Sequence, residues 1–346
     1  MSSGKKSFED SLQKKVVSQG RCASCGACVV VCPYDCLEIA AGRPSLKKKC
    51  EICGICAQVC PQYDWSQFRV ESFVFGRERS EKEEFGIYSR VVLVKAKNSK
   101  LLKVCQDGGV VTALLFHALK SGLIDGAVVS GVGSEKPFYP IPKVASTPQE
   151  ILRCAGSRYS YSPNLLALAD AAKQKKKCLA FVGTPCQINA VRKMQMLKLK
   201  RVASLKILIG LMCSECFSYE GLMEKHVHRQ LGIDLGDIQS MNIKGKLIIR
   251  LRSGVVKTVP LAEIRKYARE SCGFCRDFSS ELADISTGGL GMSGRTFTII
   301  RTDEGDDLFS RAEKAGVLET KDAEAEQNAL DLLRRLSEKK RSSDCR

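Results

Sequence analysis

The sequence predicts two architectures in one chain: a small α+β module rich in cysteine, followed by a larger α/β domain with a mixed sheet. Half of the 18 cysteines fall within residues 21–62, and from residue 91 onwards short apolar runs alternate with segments of helical periodicity. A chain of 346 residues is long enough for one small module and one sizeable core. We therefore expect two domains.

The module contains one cysteine pattern twice, C-x-x-C-x-x-C-x-x-x-C-P. The copies are Cys22, Cys25, Cys28 and Cys32 before Pro33, and Cys50, Cys53, Cys56 and Cys60 before Pro61. In this pattern three thiolates of one tight loop bind one cubane, and the fourth reaches the neighbouring cluster. The spacing predicts a bacterial-type two-cluster ferredoxin module. One 4Fe-4S cluster is expected on Cys22, Cys25, Cys28 and Cys60, and the other on Cys50, Cys53, Cys56 and Cys32.

Two other uses of cysteine fit the pattern poorly. A disulfide framework needs an oxidising compartment, but the first six residues lack the apolar run of a signal peptide. A structural zinc site uses four ligands, usually as two pairs, and would leave the third cysteine and the proline of each block unexplained. The pattern therefore indicates electron transfer in a reducing compartment, with the cytoplasm as the expected location.

The charge balance narrows the class of partner. Lys and Arg number 55 against 38 Asp and Glu, a net charge of +17, which favours polyanionic partners. Aromatic residues make up only 6% of the chain, and no nucleic-acid-binding module is recognisable, so nucleic acid is not expected. No apolar stretch approaches the length of a membrane span, so we expect any membrane association to be peripheral, through partner subunits.

The order of segments predicts five regions. Residues 1–20 are polar and are expected to be a loose lead-in to the module at 21–62. Residues 63–87 mix aromatics with a dense charge run, which is typical of a solvated linker. Residues 88–318 carry the α/β pattern. Residues 319–346 are predicted to form a charged helix because leucine recurs at helical spacing; lying on its own domain is favoured over docking a partner.

The α/β domain is predicted from four strands and several helices. Apolar runs at 91–94, 127–129, 178–182 and 205–209 have the pattern of buried strands. Helical periodicity covers 110–120, 163–175, 188–196 and 219–231, and Thr147, Pro148 and Glu150 form a capping box for a short helix. This alternation predicts a sheet that is at least partly parallel. Residues 247–259, broken at Ser253 and Gly254, predict an antiparallel hairpin.

More cysteines follow predicted strands of the α/β domain. Cys186 follows the strand at 178–182, and Cys213 and Cys216 follow the strand at 205–209. A further pair, Cys272 and Cys275, surrounds a glycine. Because ligands bind at the carboxyl ends of strands in open α/β sheets, these loops could converge on a third metal site. From spacing alone, two C-x-x-C pairs suggest Cys213, Cys216, Cys272 and Cys275 on zinc or iron-sulfur; some of them could instead be ordinary buried cysteines.

A glycine-rich segment at residues 106–112 opens a predicted helix. Free backbone N–H groups and the helix dipole at such a position favour a phosphate, although a plain turn fits the residues equally well. The chain has neither a G-x-G-x-x-G fingerprint after a strand nor a Walker loop. Any flavin or nucleotide site is therefore expected to be non-Rossmann.

Several separate segments resemble the beta-subunit family of coenzyme F420 hydrogenases and dehydrogenases. These segments are residues 106–115, 156–159, 183–187, 210–213, 266–269 running into Cys272 and Cys275, and 283–289. The resemblance spans about residues 88–318, and the duplicated cysteine block in front of it is similar to that of the F420H2-oxidising dehydrogenases.

The resemblance implies a noncovalent FAD, with coenzyme F420 as the substrate stacked against it. It places FAD near Asp107, Gly108, Gly109, Val110, Val111, Thr112, Gly156, Ser157, Arg158, Tyr159, Thr184 and Gln187. It also places a third 4Fe-4S cluster on Cys186, Cys213, Cys272 and Cys275, which exchanges Cys216 for Cys186 in the set that spacing suggests. Cys216 and Cys105 are extra to the family pattern. No acid-base residue is expected, because the reaction is hydride transfer at FAD.

Under this resemblance, the excess of Lys and Arg over Asp and Glu would help to bind an anionic substrate. Coenzyme F420 carries a phosphate and glutamate carboxylates, and we expect Arg158, Lys244 and Lys246 to meet them through charge-assisted hydrogen bonds. Exposed loop lysines with no ligand are the plain alternative.

Three functions stay open from the sequence. The chain could oxidise F420H2 for a membrane-bound, complex-I-like respiratory partner, or it could be the electron-exchange subunit of an F420-dependent formate dehydrogenase or hydrogenase. It could also be a polyferredoxin-like carrier without flavin.

Overall fold

The computed structural model describes residues 6–324 and 326–342. The cysteine-rich module has two short helices related by the sequence repeat. Each follows a glycine in the left-handed conformation, with φ of 86° at Gly26 and 75° at Gly54, which a side chain would disfavour. The module consists of helix α1 (Glu9–Val17), helix α2 (Ala27–Val30), strands β1 (Leu37–Ala40) and β2 (Arg43–Leu46), which pair antiparallel, and helix α3 (Ile55–Val59).

The described part of the expected lead-in, residues 6–20, is not loose. Helix α1 is wound with i→i+5 hydrogen bonds, and Phe8, Leu12 and Val16 are buried against Cys28 and Cys56 of the module. The lead-in expectation is wrong there because the apolar residues, although spread among charges, fall on one face of the helix. Residues 1–5 lie outside the described residues.

The segment expected to be a solvated linker contains helix α4 (Gln67–Phe75) and a buried ion-pair network. The carboxylate of Glu71 is buried and pairs with Arg79, which also pairs with Glu281; Arg341 donates to Glu281 at 2.7 Å. The linker expectation is corrected because Arg79 pairs with Glu281 and Glu84 pairs with Arg334, and each of these partners lies more than 200 residues further along the chain. A local charge pattern cannot show them.

The larger domain is built on a mixed sheet, as predicted. Within the described residues the order of its eight strands is β13-β3-β12-β11-β7-β6-β4-β5. The central strands β4, β6, β7 and β11 run parallel, and the outer pairs are antiparallel. The strands are β3 (Arg90–Ala96), β4 (Gly126–Val132), β5 (Pro140–Ala145), β6 (Leu179–Gly183), β7 (Leu205–Leu211), β11 (Ile285–Gly288), β12 (Thr296–Ile300) and β13 (Leu318–Asp322).

Helices cover both faces of this sheet. The helices of the domain are α5 (Ser99–Leu102), α6 (Val110–Lys120), α7 (Pro148–Arg153), α8 (Ala167–Lys173), α9 (Pro185–Met196), α10 (Glu220–Gln230), α11 (Leu261–Ile264), α12 (Asp303–Lys314) and α13 (Gln327–Arg341), with short 3-10 turns at Asn164–Leu166, Lys200–Val202, Leu235–Asp237, Arg265–Tyr267 and Glu270–Phe274. Of these, α10 and α11 pack on a separate three-stranded sheet. One core contains α6 and α12. The other contains α8 and α9 together with Ala27, Val30 and Val59 of the module, so the module packs on this face.

The predicted hairpin is present but belongs to a separate sheet. Strands β9 (Lys246–Leu251) and β10 (Val256–Pro260) pair antiparallel, and β8 (Ile238–Ile243) completes a three-stranded sheet. Leu247, Ile249 and Val259 pack with α10 in a core of their own. The sequence shows the hairpin but not the sheet it joins, because pairing with β8 and packing on α10 are contacts made by folding.

The C-terminal segment lies on its own domain, as favoured from the sequence. Leu330 and Leu333 of α13 are buried with Phe85, Leu93 and Phe297 beneath the main sheet. The segment expected to be helical from residue 319 begins instead with β13, which pairs with β3; residues 325 and 343–346 lie outside the described residues. Across the described ranges, no helix combines the length and the apolar character needed to cross a bilayer.

One buried carboxylate joins four elements of the α/β domain. Asp284, 4% exposed, accepts from the guanidinium of Arg192 at 2.6 Å, the backbone N–H of Leu208 at 2.6 Å and the hydroxyl of Thr302 at 2.8 Å. Its partners belong to α9, β7 and the N-cap of α12, and Asp284 itself precedes β11. Asp284 lies in a segment that carries the family resemblance, and its geometry gives it a structural role.

Replacing Asp284 with asparagine should lower the free energy of unfolding by about 3–5 kcal/mol, because the buried Arg192 cation would lose its counter-charge. Urea denaturation followed by far-UV circular dichroism under anaerobic, reducing conditions measures this. The matched control is Asp307→Asn, which removes an exposed pair with Arg311 and should change stability by no more than about 0.5 kcal/mol. Equal effects in both variants would contradict the structural role.

Candidate redox site at the carboxyl edge of the sheet

The first three cysteines of one repeat meet the last cysteine of the other. Cys22, Cys25, Cys28 and Cys60 line one cavity together with Pro61. Burial raises the pKa of the Cys25 thiol to about 12, followed by the influence of the neighbouring Cys60 and Cys22 thiolates. Thiols in such surroundings become thiolates readily only when a metal supplies compensating positive charge. These residues fit the first cluster assigned from the spacing.

The other four cysteines of the two repeats also approach each other. Burial raises the pKa of Cys56 to about 12, and the thiolates of Cys53, Cys50 and Cys32 raise it further. Backbone N–H groups point at two of these sulfurs: Phe8 N–H donates to Cys50 Sγ at 3.4 Å and Cys36 N–H to Cys32 Sγ at 3.3 Å. Hydrogen bonds to cluster thiolates are one means by which proteins set cluster potentials.

The strand-end loops of the α/β domain converge as expected. The loop after β6 carries Cys186 at the start of α9, and the loop after β7 carries Cys213 and Cys216. Both meet the 3-10 turn Glu270–Phe274 and the residue that follows it. Of the described cysteines, Cys186, Cys213, Cys216, Cys272 and Cys275 line one cavity.

The geometry of this cavity is compatible with both candidate sets of four ligands, the set with Cys186 and the set with Cys216. The Sγ atoms of Cys213 and Cys216 are 3.8 Å apart, and the Cys216 N–H donates to Cys272 Sγ at 3.3 Å. Cys186 Sγ lies 3.2 Å from the Thr184 hydroxyl. Among the described residues, no group of three or more His, Cys, Asp or Glu converges on a point that could hold a single ion. In a cubane each thiolate binds a different iron, so the sulfurs are spread more widely.

Two cations that sequence reasoning missed lie at this cavity. Lys340 of α13 lines it and donates to the Cys272 carbonyl at 3.0 Å. Burial alone would lower the pKa of Lys340, but the Cys275, Cys213 and Cys272 thiolates outweigh burial and raise it. Arg269 lines the cavity with its guanidinium 4.0 Å from the centre of the Tyr161 ring. Arg269 stands in a segment carrying the resemblance, whereas Lys340, far along a charged helix, gave no local signal.

The glycine-rich loop before α6 packs tightly against the sheet. A Cβ atom on Gly108 would lie 2.2 Å from the Val94 carbonyl oxygen, so only glycine fits there. The side chains of Val110 and Thr112 are buried in the first turn of α6, and Val111 is half-buried. Any contact of an anion with this segment therefore falls to backbone N–H groups at the helix start.

Asp107 connects this loop to two other segments expected at the cofactor site. Lys244 Nζ lies 3.0 Å from Asp107 Oδ1, and Asn242 donates to the same oxygen at 3.3 Å. The hydroxyl of Tyr159 donates to Asn242 at 3.3 Å and accepts from the Ile243 N–H at 2.9 Å. The three-stranded sheet thus brings Asp107, Tyr159 and Lys244 together. Lys246, at the start of β9, is exposed.

The remaining expected contact residues are engaged in local structure. Arg158 donates to the carbonyls of Ser130, Cys154, Ala155 and Gly156, so it holds the loop of residues 154–158 together, with Ser157 within it. Gln187 is buried; its amide accepts from the Thr184 N–H at 3.1 Å and donates to the Ser162 carbonyl at 2.5 Å. Both side chains would have to exchange these bonds to meet a cofactor.

The cavity of the first cysteine group of the module and the cysteine cavity of the α/β domain are neighbours. Ala23 and Gln62 of the module line both the cavity of Cys22, Cys25, Cys28 and Cys60 and the cavity of the α/β domain. Lys193 of α9 strengthens this contact by donating to the carbonyls of Cys60 at 2.9 Å and Tyr63 at 2.8 Å. A module with a repeated cysteine pattern of the 4Fe-4S type, joined in this way to a cysteine cavity at a sheet edge, defines an iron-sulfur oxidoreductase component.

Comparison with known families identifies which one. Residues 176–326 match the family model for the C terminus of the coenzyme F420 hydrogenase/dehydrogenase beta subunit, and residues 91–169 match the model for the N-terminal part of the same beta subunit. Residues 15–38 match the model described as "4Fe-4S binding domain". The chain belongs to the coenzyme F420 hydrogenase/dehydrogenase beta-subunit family, which confirms the resemblance stated from the sequence.

Named relatives come from more than one kind of complex. The chain is 39% identical over 264 residues to the beta subunit of coenzyme F420 hydrogenase of Methanococcus voltae, covering 75% of this chain and 94% of that protein. It is 29% identical to the F subunit of F(420)H(2) dehydrogenase of Methanosarcina mazei, covering 85% and 83%. A chain of the F420-reducing [NiFe] hydrogenase complex from Methanosarcina barkeri superposes with a TM-score of 0.73 at 37% identity, covering 77% and 92%.

The choice between Cys186 and Cys216 can be tested by counting iron. Cys186→Ser should lower the iron content from about twelve to about eight atoms per chain, since one of three cubanes loses a ligand. Cys216→Ser should leave it at about twelve. Iron analysis and electron paramagnetic resonance (EPR) of the reduced, anaerobically purified chain measure both. If the Cys216 variant also loses iron, the assignment of the fourth ligand is overturned.

Proposed function

We propose that this chain is the electron-input subunit of an F420H2-oxidising complex. In this role it takes a hydride from reduced coenzyme F420 onto FAD and passes the electrons singly to 4Fe-4S clusters. The observation that carries the proposal is the shared wall between the cysteine cavity at the sheet edge and the first cysteine group of the module. A protein that only bound a cofactor would not need this junction.

The cofactors divide the chemistry between them. A deazaflavin carries hydride pairs, iron-sulfur clusters carry single electrons, and flavin, when bound, is the group that converts one into the other. The protein's contribution is placement, electrostatics and exclusion of water. For this reason we assign no acid-base residue.

The residues around Asp107 are suited to hold the organic cofactors. The N–H groups of Gly108 and Gly109 donate to Thr296 and to the Gln106 carbonyl, so the donors proposed for an FAD phosphate are the N–H groups of residues 110–112 in the first turn of α6. Tyr159, hydrogen-bonded to the three-stranded sheet, lies between this loop and the cysteine cavity: the Phe217 N–H donates to its carbonyl at 2.9 Å, and Tyr161 two residues later lines that cavity. One segment thus contacts both parts of the proposed site.

We propose cluster ligands according to which cysteines lie together. We assign one 4Fe-4S cluster to Cys22, Cys25, Cys28 and Cys60, one to Cys32, Cys50, Cys53 and Cys56, and the third to Cys186, Cys213, Cys272 and Cys275. The Cys186 cavity is connected through the segment of Tyr159 and Tyr161 to the residues proposed for flavin, so a cluster held there would be the first to receive electrons.

The physiological partner is proposed to be a membrane-bound, complex-I-like respiratory complex, with this chain on the cytoplasmic face. The relative named as the F subunit of F(420)H(2) dehydrogenase supports this, because the match includes 85% of this chain. A second candidate is the electron-exchange role in an F420-dependent hydrogenase, which the 39% identity to a hydrogenase beta subunit favours. Isolation of the native complex and identification of its subunits separates the two.

Anaerobic reduction by F420H2 tests the core of the proposal. The purified chain should contain about one FAD, and F420H2 should bleach first the flavin absorbance and then the brown cluster absorbance, because the two are electronically connected. Stopped-flow absorbance measures the order. Absence of bound flavin would instead favour a polyferredoxin-like carrier, and absence of bleaching by F420H2 would contradict the proposed substrate.

The lysines of the three-stranded sheet can be tested separately. Replacing Lys244 and Lys246 with glutamine should raise the KM for F420H2 about tenfold and weaken its dependence on salt, because the proposed tail site loses two cations and the Asp107 carboxylate loses its ion pair with Lys244. The matched control is Lys257→Gln, since Lys257 is an exposed lysine of β10 in the same sheet. An unchanged KM and salt dependence in the double variant would remove both lysines from the site.

A further inference from the structure

Arg269 is bonded to both redox-site candidates at once. Its backbone N–H donates to the Cys216 carbonyl at 2.9 Å, and its own carbonyl accepts from the Cys272 N–H at 2.9 Å. Its guanidinium reaches across to the module, where it donates to the carbonyls of Ala23 at 3.0 Å and Cys22 at 3.4 Å and to the hydroxyl of Ser24. The main chain is thus fixed by one cysteine group and the side chain by the loop of the other.

The guanidinium also packs against Tyr161 in the space between the two groups. The centre of the Tyr161 ring lies 4.0 Å from the Arg269 guanidinium, and the Tyr161 hydroxyl is buried with no hydrogen-bond partner in the described part of the chain. A planar guanidinium can stack on a ring and donate to two carbonyls in one orientation, which an ammonium group cannot do. The junction is therefore built around the shape of arginine as well as its charge.

Arg21 and Arg43 also contact the turn that carries Cys272, through Phe274 and Glu270, but two other contacts between module and domain lie away from this position. Arg201 donates to the Val30 carbonyl at 3.2 Å but lines neither cysteine cavity. Lys193 holds the Cys60 carbonyl from the far end of α9. The second cysteine group of the module is the more exposed of the two. Cys32, Cys50 and Cys53 are partly exposed, against Cys22 and Cys60 in the first group, and Ile52, between Cys50 and Cys53 in the sequence, is 49% exposed.

We propose that Arg269 is a positioning residue that holds the cluster site of Cys22, Cys25, Cys28 and Cys60 against the Cys186 site. The Cys22 site is then the part of the module that accepts electrons from the Cys186 site, and the Cys50 group is the exit. This inference rests on the proposed cluster assignment. Each transfer across the junction oxidises one centre by one electron and reduces the other by one, so a hydride's electron pair crosses in two steps. The positive guanidinium at the accepting loop favours the reduced state of that cluster.

The test uses the full chain with its clusters in three variants: Arg269→Gln, Arg269→Lys and the control Arg201→Gln. Dithionite titrations monitored by EPR give the cluster potentials, because dithionite reduces the clusters without electron transfer from F420H2 through flavin. Arg269→Gln should shift the potential of one module cluster to a more negative value and weaken the magnetic coupling between that cluster and the Cys186-site cluster. Arg269→Lys should restore the potential of the module cluster but not the magnetic coupling, because lysine keeps the positive charge and loses the planar guanidinium that bonds to two carbonyls. Arg201→Gln should change neither.

A kinetic measurement separates this proposal from the proposed function. In Arg269→Gln, flavin reduction by F420H2 should keep its rate while reduction of the module clusters slows about 10- to 100-fold, since the junction is displaced. If wild-type chain is not reduced by F420H2, the proposed substrate fails while the EPR titration still reports on Arg269. If Arg269→Gln matches Arg201→Gln in both potential and coupling, the positioning role is overturned. Should Arg269→Gln fail to fold, unchanged coupling in Arg269→Lys would overturn it as well.

Discussion

The structure depends on gathering buried thiols into small cavities, which is electrostatically unfavourable without positive charge. Burial raises the pKa of Cys25, Cys56 and Cys60 to about 12, and neighbouring thiolates add to the effect at each. Sites of this kind need rigid walls and compensating charge from metal and protein. The fold supplies walls in two ways: by a short repeated loop in the module and by strand-end loops in the domain.

The parallel and antiparallel parts of the mixed sheet have different roles in building the cysteine cavity. The parallel strands β6 and β7 end at the same edge, so the loops that carry Cys186, Cys213 and Cys216 begin close together. The antiparallel strands β12, β3 and β13 extend the sheet and bring the C-terminal chain back to the start of the domain. Helix α13 then delivers Lys340 to the cavity. The edge that receives cofactors and the strands that support it are thus separate parts of one sheet.

Part of the positive charge of the chain acts inside the molecule. Lys193, Arg269 and Lys340 donate to backbone carbonyls next to cysteines, and Arg192 pairs with the buried Asp284. Arg79 and Arg341 share Glu281, which ties the segment after the module to the C-terminal helix. A net charge of +17 therefore does not describe a uniformly basic surface. Part of it belongs to docking the module and to balancing thiolates.

The sequence by itself determined the module's cysteine repeats, the alternating strands and helices of the domain, and the family, because those features are local or depend on the order of short motifs. It did not determine that residues 9–17 and 67–75 are helices packed on the core, that the hairpin forms its own sheet, or that Arg158 and Gln187 are held by local hydrogen bonds. Only the tertiary structure decided that Ala23 and Gln62 form the wall between two cysteine cavities, that Arg269 bonds to this wall, and that Lys340 lines the cavity of the α/β domain. The physical reason is distance along the chain: Arg269 meets Cys22 across 247 residues, and Lys340 meets Cys272 across 68. A pattern of neighbouring residues carries no record of contacts made by folding.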